Sequence, residues 1–233
     1  MAAQHHPYYP TDTIVEGFAP NESPLFIILA GFGGVIALFV GSCVGLARWR
    51  NSRLGRWELG VVGWYALCGF LHCFFEGYFV FTHATLPSSQ SFFAQLWKEY
   101  SLSDSRYIAS DPFMLCIEGL TMITWGPLSL YGAYLTALPA SKGKQGLRHV
   151  IQIVVAIGHL YGVALYYGTC HFIETQSEGR ISYSRPEFMY YWVYYAGMNA
   201  PWAVVPWLLL WQSAKEIEKA FRVAARIESK KGR

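Results

Sequence analysis

The chain has 233 residues, of which 53% are hydrophobic and 14% charged, with a formal net charge of +3 at pH 7. Soluble domains typically carry about 25% charged residues, so this composition predicts one integral membrane unit and argues against a separate soluble domain. The basic residues are concentrated after particular apolar segments, as the topology of a membrane protein requires. Nucleic-acid binding would instead need a basic patch on one face of a folded domain, so no nucleic-acid partner is expected.

Five apolar segments are candidates to span a hydrocarbon core, which is about 30 Å thick and needs roughly 20 residues of helix. They cover residues 23–47, 59–81, 113–138, 150–168 and 188–211. The predicted fold is therefore an all-α, multi-pass membrane bundle of five helices. An odd number of spans places the two termini on opposite sides of the membrane.

The distribution of positive charge predicts the orientation, because cytosolic loops carry the excess of Lys and Arg. Of the 18 basic residues, 14 follow the first, third and fifth segments: four in 48–56, three in 142–148 and seven in 215–233. We therefore expect a lumenal N-terminal segment (1–22), a five-span transmembrane domain (23–211) and a basic cytosolic tail (212–233).

Two features of the tail predict where the protein resides. Its end, Lys230-Lys231-Gly232-Arg233, fits the dilysine pattern for retrieval to the endoplasmic reticulum, so we expect a protein of that membrane. Before it, Ile217, Phe221 and Ala224 recur at helical spacing, which favours a helix lying in the membrane interface.

Polar residues interrupt three of the apolar segments in pairs three or four residues apart, a spacing that places both members of a pair on one helix face. An ionisable group inside a membrane costs roughly 2.5–3.5 kcal/mol, whereas an interhelical hydrogen bond contributes about 0.6 kcal/mol. Helix packing alone does not offset that cost, so the pairs predict a functional cavity. They are His72 with Glu76, Glu118 with Thr121, and Asn199 with Trp202.

The residue types in these segments narrow the chemistry to proton transfer. The histidines are isolated rather than arranged in metal-binding boxes, and the five cysteines show no C-x-x-C spacing, so neither a metal site nor a cofactor is predicted. Buried carboxyl and imidazole groups suit acid–base catalysis. Aromatic residues, Trp192 and Tyr195 among them, are expected to line a pocket that stabilises a cation, although most of the others belong to the interfacial belt or the core.

Several sequence runs, in order along the chain, carry a resemblance to a known family. The chain resembles the emopamil-binding protein family, the sterol Δ8–Δ7 isomerases of the endoplasmic reticulum. The matching runs include Gly69-Phe-Leu-His72-Cys-Phe-Phe-Glu76-Gly-Tyr-Phe79, Leu96-Trp-Lys-Glu-Tyr100, Asp104-Ser-Arg-Tyr107, Glu118-Gly-Leu-Thr121, Trp125-Gly-Pro-Leu-Ser129 and Met198-Asn-Ala-Pro-Trp202.

This resemblance implies a five-helix bundle, often a homodimer, that moves a sterol ring double bond from the 8(9) to the 7(8) position without a cofactor. Glu118 and His72 would exchange protons with the substrate, and Glu76 would orient His72 or take part in the return of the proton. Asn199 would hydrogen-bond a carboxyl group, and Trp202 would face the positive charge at carbon 8. The catalytic candidates are His72, Glu76, Glu118, Asn199 and Trp202, and the substrate-binding candidates are Thr121, Tyr107, Trp192 and Tyr195.

The sequence differs from the family pattern at two positions, and two functions other than sterol isomerisation stay open. His159 stands where the family commonly has glutamine, and Pro201 lies between Asn199 and Trp202. The alternatives are an isomerase of a related triterpenoid or meroterpenoid, and a protein that binds sterols or cationic amphiphiles without catalysis. Protonated amines resemble the carbocation in charge and hydrophobicity, so we expect them to inhibit an isomerase of this kind.

Overall fold

A computed structural model of the chain describes residues 6–231, and these residues form helices and connecting turns without a strand. The final two residues of the predicted retrieval signal, 232 and 233, lie outside this range. The six main helices are α1 (Leu25–Arg50), α2 (Arg56–Thr82), α3 (Phe92–Tyr100), α4 (Pro112–Ala137), α5 (Gln145–Gln176) and α6 (Ala200–Lys231). A 3₁₀ turn (Ala140–Lys142) and a π-helical segment (Met189–Gly197) complete the described structure.

Four described helices, α1, α2, α4 and α5, are long and apolar enough to cross a membrane. They match the first four predicted segments to within a few residues, except that α5 extends five residues before and eight after the predicted 150–168. The fifth predicted segment, 188–211, is not one regular helix. It divides at Met198 and Asn199 into the π-helical segment and the start of α6.

Pro201 explains where α6 begins. Proline lacks a backbone N–H and is tolerated in the first turn of a helix, where that donor has no intrahelical partner. The apolar part of α6, from Ala200 to Trp211, reaches only about 18 Å at 1.5 Å per residue. Any crossing of the membrane at this position therefore includes the π-helical segment.

The helices pack into two apolar clusters separated along their length. α2 lies against α1 and the second half of α4, while α5 packs along α6. One cluster includes Val62, Tyr65 and Val155, and the other includes Phe79, Trp97 and Tyr166. Along α2 and α5 these clusters occupy opposite ends, which leaves the middle of the bundle for the cavity described below.

The segment before α1 is packed against the bundle rather than separate from it. Tyr8 is buried, and its hydroxyl donates a hydrogen bond to the Lys98 carbonyl at 3.1 Å. The Lys98 Nζ donates in turn to the Ala19 carbonyl at 2.8 Å. Burial lowers the pKa of Lys98. This segment therefore covers α3 and closes one end of the bundle.

A wide turn in α2 brings the His72–Glu76 pair close to α4. Residues Leu71–Glu76 are π-helical, a conformation found often at functional sites. Gly126 makes the contact possible, since a Cβ at this position would lie 2.5 Å from Cys73 Sγ, 3.1 Å from the Cys73 backbone nitrogen and 3.2 Å from His72 Cβ. The absence of a side chain on Gly126 thus fixes how near α4 comes to the wide turn.

We predict that Gly126→Ala lowers the free energy of unfolding by about 1–3 kcal/mol, because an added methyl group there overlaps backbone as well as side-chain atoms. Gly168→Ala is the matched control. No atom lies within 4 Å of a Cβ at that position in α5, so alanine is expected to stabilise the helix by about 0.5–1 kcal/mol. Thermal unfolding of the two variants in detergent measures the difference, and equal midpoints would contradict the tight contact.

Candidate functional site

A cavity of about 720 Å³ lies in the middle of the bundle. Its wall is mainly apolar and aromatic, and it falls within the range of roughly 300–1,000 Å³ that is usual for small-molecule sites. Helices α1 to α5 each contribute residues to the wall of the cavity. Helix α6 contributes residues of its first turn only. The polar side chains in the wall, leaving aside the tryptophans, belong to His72, Glu99, Tyr100, Tyr107, Glu118, Thr121, His159, Tyr161, Tyr166, Tyr194 and Asn199.

His72 has a hydrogen-bond partner on each ring nitrogen. Its Nδ1 lies 2.7 Å from Glu76 Oε1, and its Nε2 lies 3.0 Å from the Nε2 of His159 on α5. The His72 side chain is 95% buried and that of Glu76 is 85% buried. Glu76 does not line the cavity itself but stands behind His72 and fixes the orientation of its ring.

Glu118 is the carboxyl group in the cavity wall on α4. The Tyr107 hydroxyl donates a hydrogen bond to Glu118 Oε1 at 2.8 Å. Thr121, one turn further along α4, donates its hydroxyl to the Ile117 carbonyl at 2.8 Å and lines the cavity beside Glu118. One carboxyl oxygen of Glu118 is thereby held by the protein, and the group remains in the wall of the cavity.

Asn199 occupies the junction between the π-helical segment and α6. Its Nδ2 donates to the Tyr195 carbonyl at 2.8 Å and to the Tyr100 hydroxyl at 3.2 Å. The predicted hydrogen bond from Asn199 to a carboxyl group is therefore absent among its contacts. The amide instead ties the start of α6 to α3.

Trp202 forms the aromatic side of the cavity next to His72. Its ring centroid is 6.4 Å from that of His72 and 5.2 Å from that of Trp64. Trp64 in turn meets His159 edge to face at 6.3 Å. An indole face at this distance from the acid–base groups provides a surface that attracts a cation in the cavity.

Six of the nine predicted residues line the cavity, and the other three do not. Glu76 contacts His72 but does not line the cavity. Trp192 lies outside the cavity and is 60% exposed. Tyr195 packs behind the wall against Tyr166 at 5.5 Å between ring centroids, and its neighbour Tyr194 takes the lining position. The six lining residues are His72, Tyr107, Glu118, Thr121, Asn199 and Trp202.

Several polar residues in the wall were not among the nine sequence-based candidates, and two of them, Glu99 and Tyr100, are neighbours in the chain. Glu99 is half-buried, and burial raises the pKa of its carboxyl group above the usual value. Both lie on α3, three and four residues after Leu96, which also lines the cavity. This i, i+3, i+4 spacing was available in the sequence and marks the face of α3 that meets the cavity.

Cys68, His72 and His159 bring three potential metal-ligand atoms within 4.8 Å of one another. Two nitrogens bound to one tetrahedral zinc ion at about 2.0–2.1 Å each would stand about 3.3 Å apart. The two Nε2 atoms are 3.0 Å apart, a separation that suits a direct hydrogen bond. The geometry favours the hydrogen bond, and the absence of a metal site stays a prediction.

Over residues 6–231 the fold and the cavity together define an all-helical protein, with helices long and apolar enough to span a membrane and an aromatic cavity that holds acid–base groups. The family model EXPERA (EXPanded EBP superfamily) matches residues 92–213. The chain belongs to this family, and the predicted resemblance is confirmed.

Curated relatives extend the similarity over nearly the whole chain. The chain is 37% identical to the 3-beta-hydroxysteroid-Delta(8),Delta(7)-isomerase of Rattus norvegicus, over 92% of this chain and 90% of the relative. It is 36% identical to the isomerase of the same name in Cavia porcellus, over 91% and 88% of the two chains. It is also 39% identical to the isomeliandiol synthase of Melia azedarach, over 67% of this chain and 68% of that one.

Metal analysis tests the cluster directly. We expect the purified protein to contain no stoichiometric transition metal by inductively coupled plasma mass spectrometry, and its thermal midpoint to be unchanged by a chelator. If the cluster were a metal site, added zinc would raise the thermal midpoint of the protein by binding to Cys68. Cys68→Ser removes this ligand and is therefore the comparison variant. A bound metal that survives purification and is lost in Cys68→Ser would contradict the prediction.

Proposed function

We propose that the chain is a sterol isomerase that moves a ring double bond from the Δ8 to the Δ7 position without a cofactor. The observation that carries the proposal is the arrangement of His72, Glu118 and Trp202 around one apolar cavity. The relatives named as Δ8,Δ7-isomerases support the same reaction. The cavity combines the acid–base groups, the apolar wall and the aromatic face that this reaction requires.

The reaction proceeds through a cation held in that cavity. A proton added to carbon 9 of the Δ8 alkene leaves a positive charge on carbon 8, and loss of a proton from carbon 7 forms the Δ7 alkene. No atom is gained or lost overall. Glu118 and His72 exchange these protons with the sterol. Glu76 holds His72 through Nδ1, so His72 transfers its proton at Nε2, which leaves its contact with His159 during that step.

The surroundings of these groups stabilise the charged intermediate. Trp202 presents an indole face near His72, and a cation on a desolvated aromatic face gains about 2 kcal/mol or more. Tyr107 orients Glu118 through its hydroxyl. Thr121 completes the wall at that position.

A second candidate function is the isomerisation of a related triterpenoid by the same chemistry. The similarity to the isomeliandiol synthase of Melia azedarach favours it. A third candidate, a protein that binds sterols or cationic amphiphiles without turnover, uses the same cavity. The three differ in their products, so the substrate and its labelling distinguish them.

Expression in a yeast strain that lacks its own Δ8–Δ7 isomerase tests the activity. We expect Δ7 sterols to reappear, and turnover in heavy water to place deuterium at carbon 9. Product formed only from triterpenoid alkenes would support the second candidate. Amine binding without labelled product from any polycyclic alkene would support the third.

Glu118→Gln tests the proposed proton exchange. We expect the labelling rate to fall about 100-fold or more, since the amide does not deliver or accept the proton, while binding of a protonated amine inhibitor is largely retained. Glu228→Gln removes a carboxyl group at an exposed position of α6 and serves as the control. Undiminished labelling in Glu118→Gln would remove this residue from the mechanism.

The same proposal includes a membrane arrangement. Five spans, with the π-helical segment and the apolar start of α6 forming the fifth, place the N-terminal segment in the lumen of the endoplasmic reticulum and the basic tail in the cytosol. The 14 basic residues that follow the first, third and fifth apolar segments in the sequence support this orientation. Homodimer formation remains a prediction.

Two exposed glycine turns at the opposite ends of α5 test the orientation. Gly143 follows α4, and Gly179 follows α5. A glycosylation acceptor inserted at Gly179 is expected to be modified in cells, and the same insertion at Gly143 is expected to remain unmodified. A mobility shift on gels before and after deglycosylation measures both, and the reverse pattern would overturn the proposed topology.

A further inference from the structure

His159 is a buried titratable group to which the mechanism above gives no task. It lies on α5, is 4% exposed, and contacts His72 through the pair of Nε2 atoms 3.0 Å apart. Its Nδ1 is buried and has no hydrogen-bond partner among the described residues. All of its hydrogen bonding is therefore directed at His72.

The position of the His159 ring is fixed by its surroundings. Trp64 meets the ring edge to face at 6.3 Å. The neighbouring Gly158 packs so tightly that a Cβ there would lie 2.6 Å from the Trp125 ring. α5 cannot shift away from α4 or rotate without breaking this contact, so His159 stays within reach of His72.

Hydrogen-bond chemistry then links the protons of the two rings. A neutral imidazole has one donor and one acceptor nitrogen. When Glu76 is ionised, Nδ1 of His72 donates to it, so Nε2 of a neutral His72 accepts a hydrogen bond from Nε2–H of His159. When His72 is protonated, its Nε2–H becomes the donor and His159 accepts at Nε2, which requires that the hydrogen of His159 leave Nε2 and that one proton be taken up at its Nδ1.

We propose that His159 is a positioning residue that holds the His72 ring in place in both of its protonation states, as a donor to the neutral ring and an acceptor from the protonated one. The proposal rests on the proposed function of His72 in proton exchange. The residue at this position must be able both to donate and to accept a hydrogen bond. Imidazole and carboxamide groups can do both, whereas an aliphatic side chain can do neither.

Two substitutions separate positioning from packing. His159→Leu keeps an apolar side chain in the wall but removes the hydrogen bond, and we expect kcat to fall about 10–100-fold, as for other residues that orient a functional histidine, with KM changed less than about threefold. His159→Gln restores a donor and an acceptor, and we expect it to recover most of kcat.

His149→Leu is the matched control on the same helix. His149 is buried, and its Nδ1 lies 3.1 Å from Ser213 Oγ, away from the cavity. Its replacement also removes one buried hydrogen bond of α5, so the thermal midpoint is expected to fall while kcat stays unchanged. A similar loss of kcat in His149→Leu would assign the effect of His159→Leu to general destabilisation and overturn the proposal.

A measurement that does not depend on turnover completes the test. The ¹⁵N chemical shifts of the His72 ring report its tautomer in the purified protein. We expect a similar Nε2 shift in the wild type and in His159→Gln, where the ring keeps a hydrogen-bond partner at Nε2, and a changed Nε2 shift in His159→Leu, where that hydrogen bond is lost. Unchanged shifts in His159→Leu, an unchanged kcat, or a rise in KM alone would overturn the proposal. A wild-type protein that forms no Δ7 sterol would instead refute the proposed function, and the ring shifts would still decide the role of His159.

Discussion

The organisation of this protein depends on the need to give polar groups partners from the protein itself, because a hydrocarbon core supplies no water. His72 shows the constraint most clearly, since both of its ring nitrogens are engaged, one by Glu76 in its own helix and the other by His159 on α5. Glu118 meets the same requirement through Tyr107. His159 and Tyr107 each lie on a different element from the group they contact. The polar contacts therefore hold the helices in register around the cavity while they orient the groups that act there.

Close helix contacts make this network possible. At Gly126, α4 approaches the wide turn of α2, and at Gly158, α5 approaches the Trp125 ring. Both glycines are next to a residue that lines the cavity. The first contact sets the approach of α4 to α2, and the second sets the approach of α5 to α4 beside the cavity. Larger side chains at these positions would separate the very elements that carry His72, Glu118 and His159.

Much of the fold and part of the site were predictable from the sequence because their signals are local. The charge-free run that became α1 needs only its length and hydrophobicity to be recognised. His72 and Glu76, and likewise Glu118 and Thr121, share a face at a spacing of three or four residues. Other features depend on contacts distant in sequence. The bond between His72 and His159 spans 87 positions, and no local pattern encodes it. The π-helical turn at Leu71–Glu76 has no periodic signal of its own in the sequence. The prediction placed Tyr195 in the cavity wall, but Tyr194 lines it. This difference follows from the second π-helical segment, in which the rotation from one residue to the next differs from that of an α-helix.

The length of α6 has a consequence for how the C-terminal end is displayed. This helix continues without interruption from Ala200 to Lys231, and its one internal proline, Pro206, lies before the charged part. The described part of α6 has no proline or glycine after Pro206, so the segment predicted to lie in the membrane interface forms one continuous helix with the apolar part. Its roughly 20 residues beyond Trp211 extend about 30 Å. Lys230 and Lys231 thus stand near the end of one long helical arm, at a distance from the apolar part set by the number of helical turns.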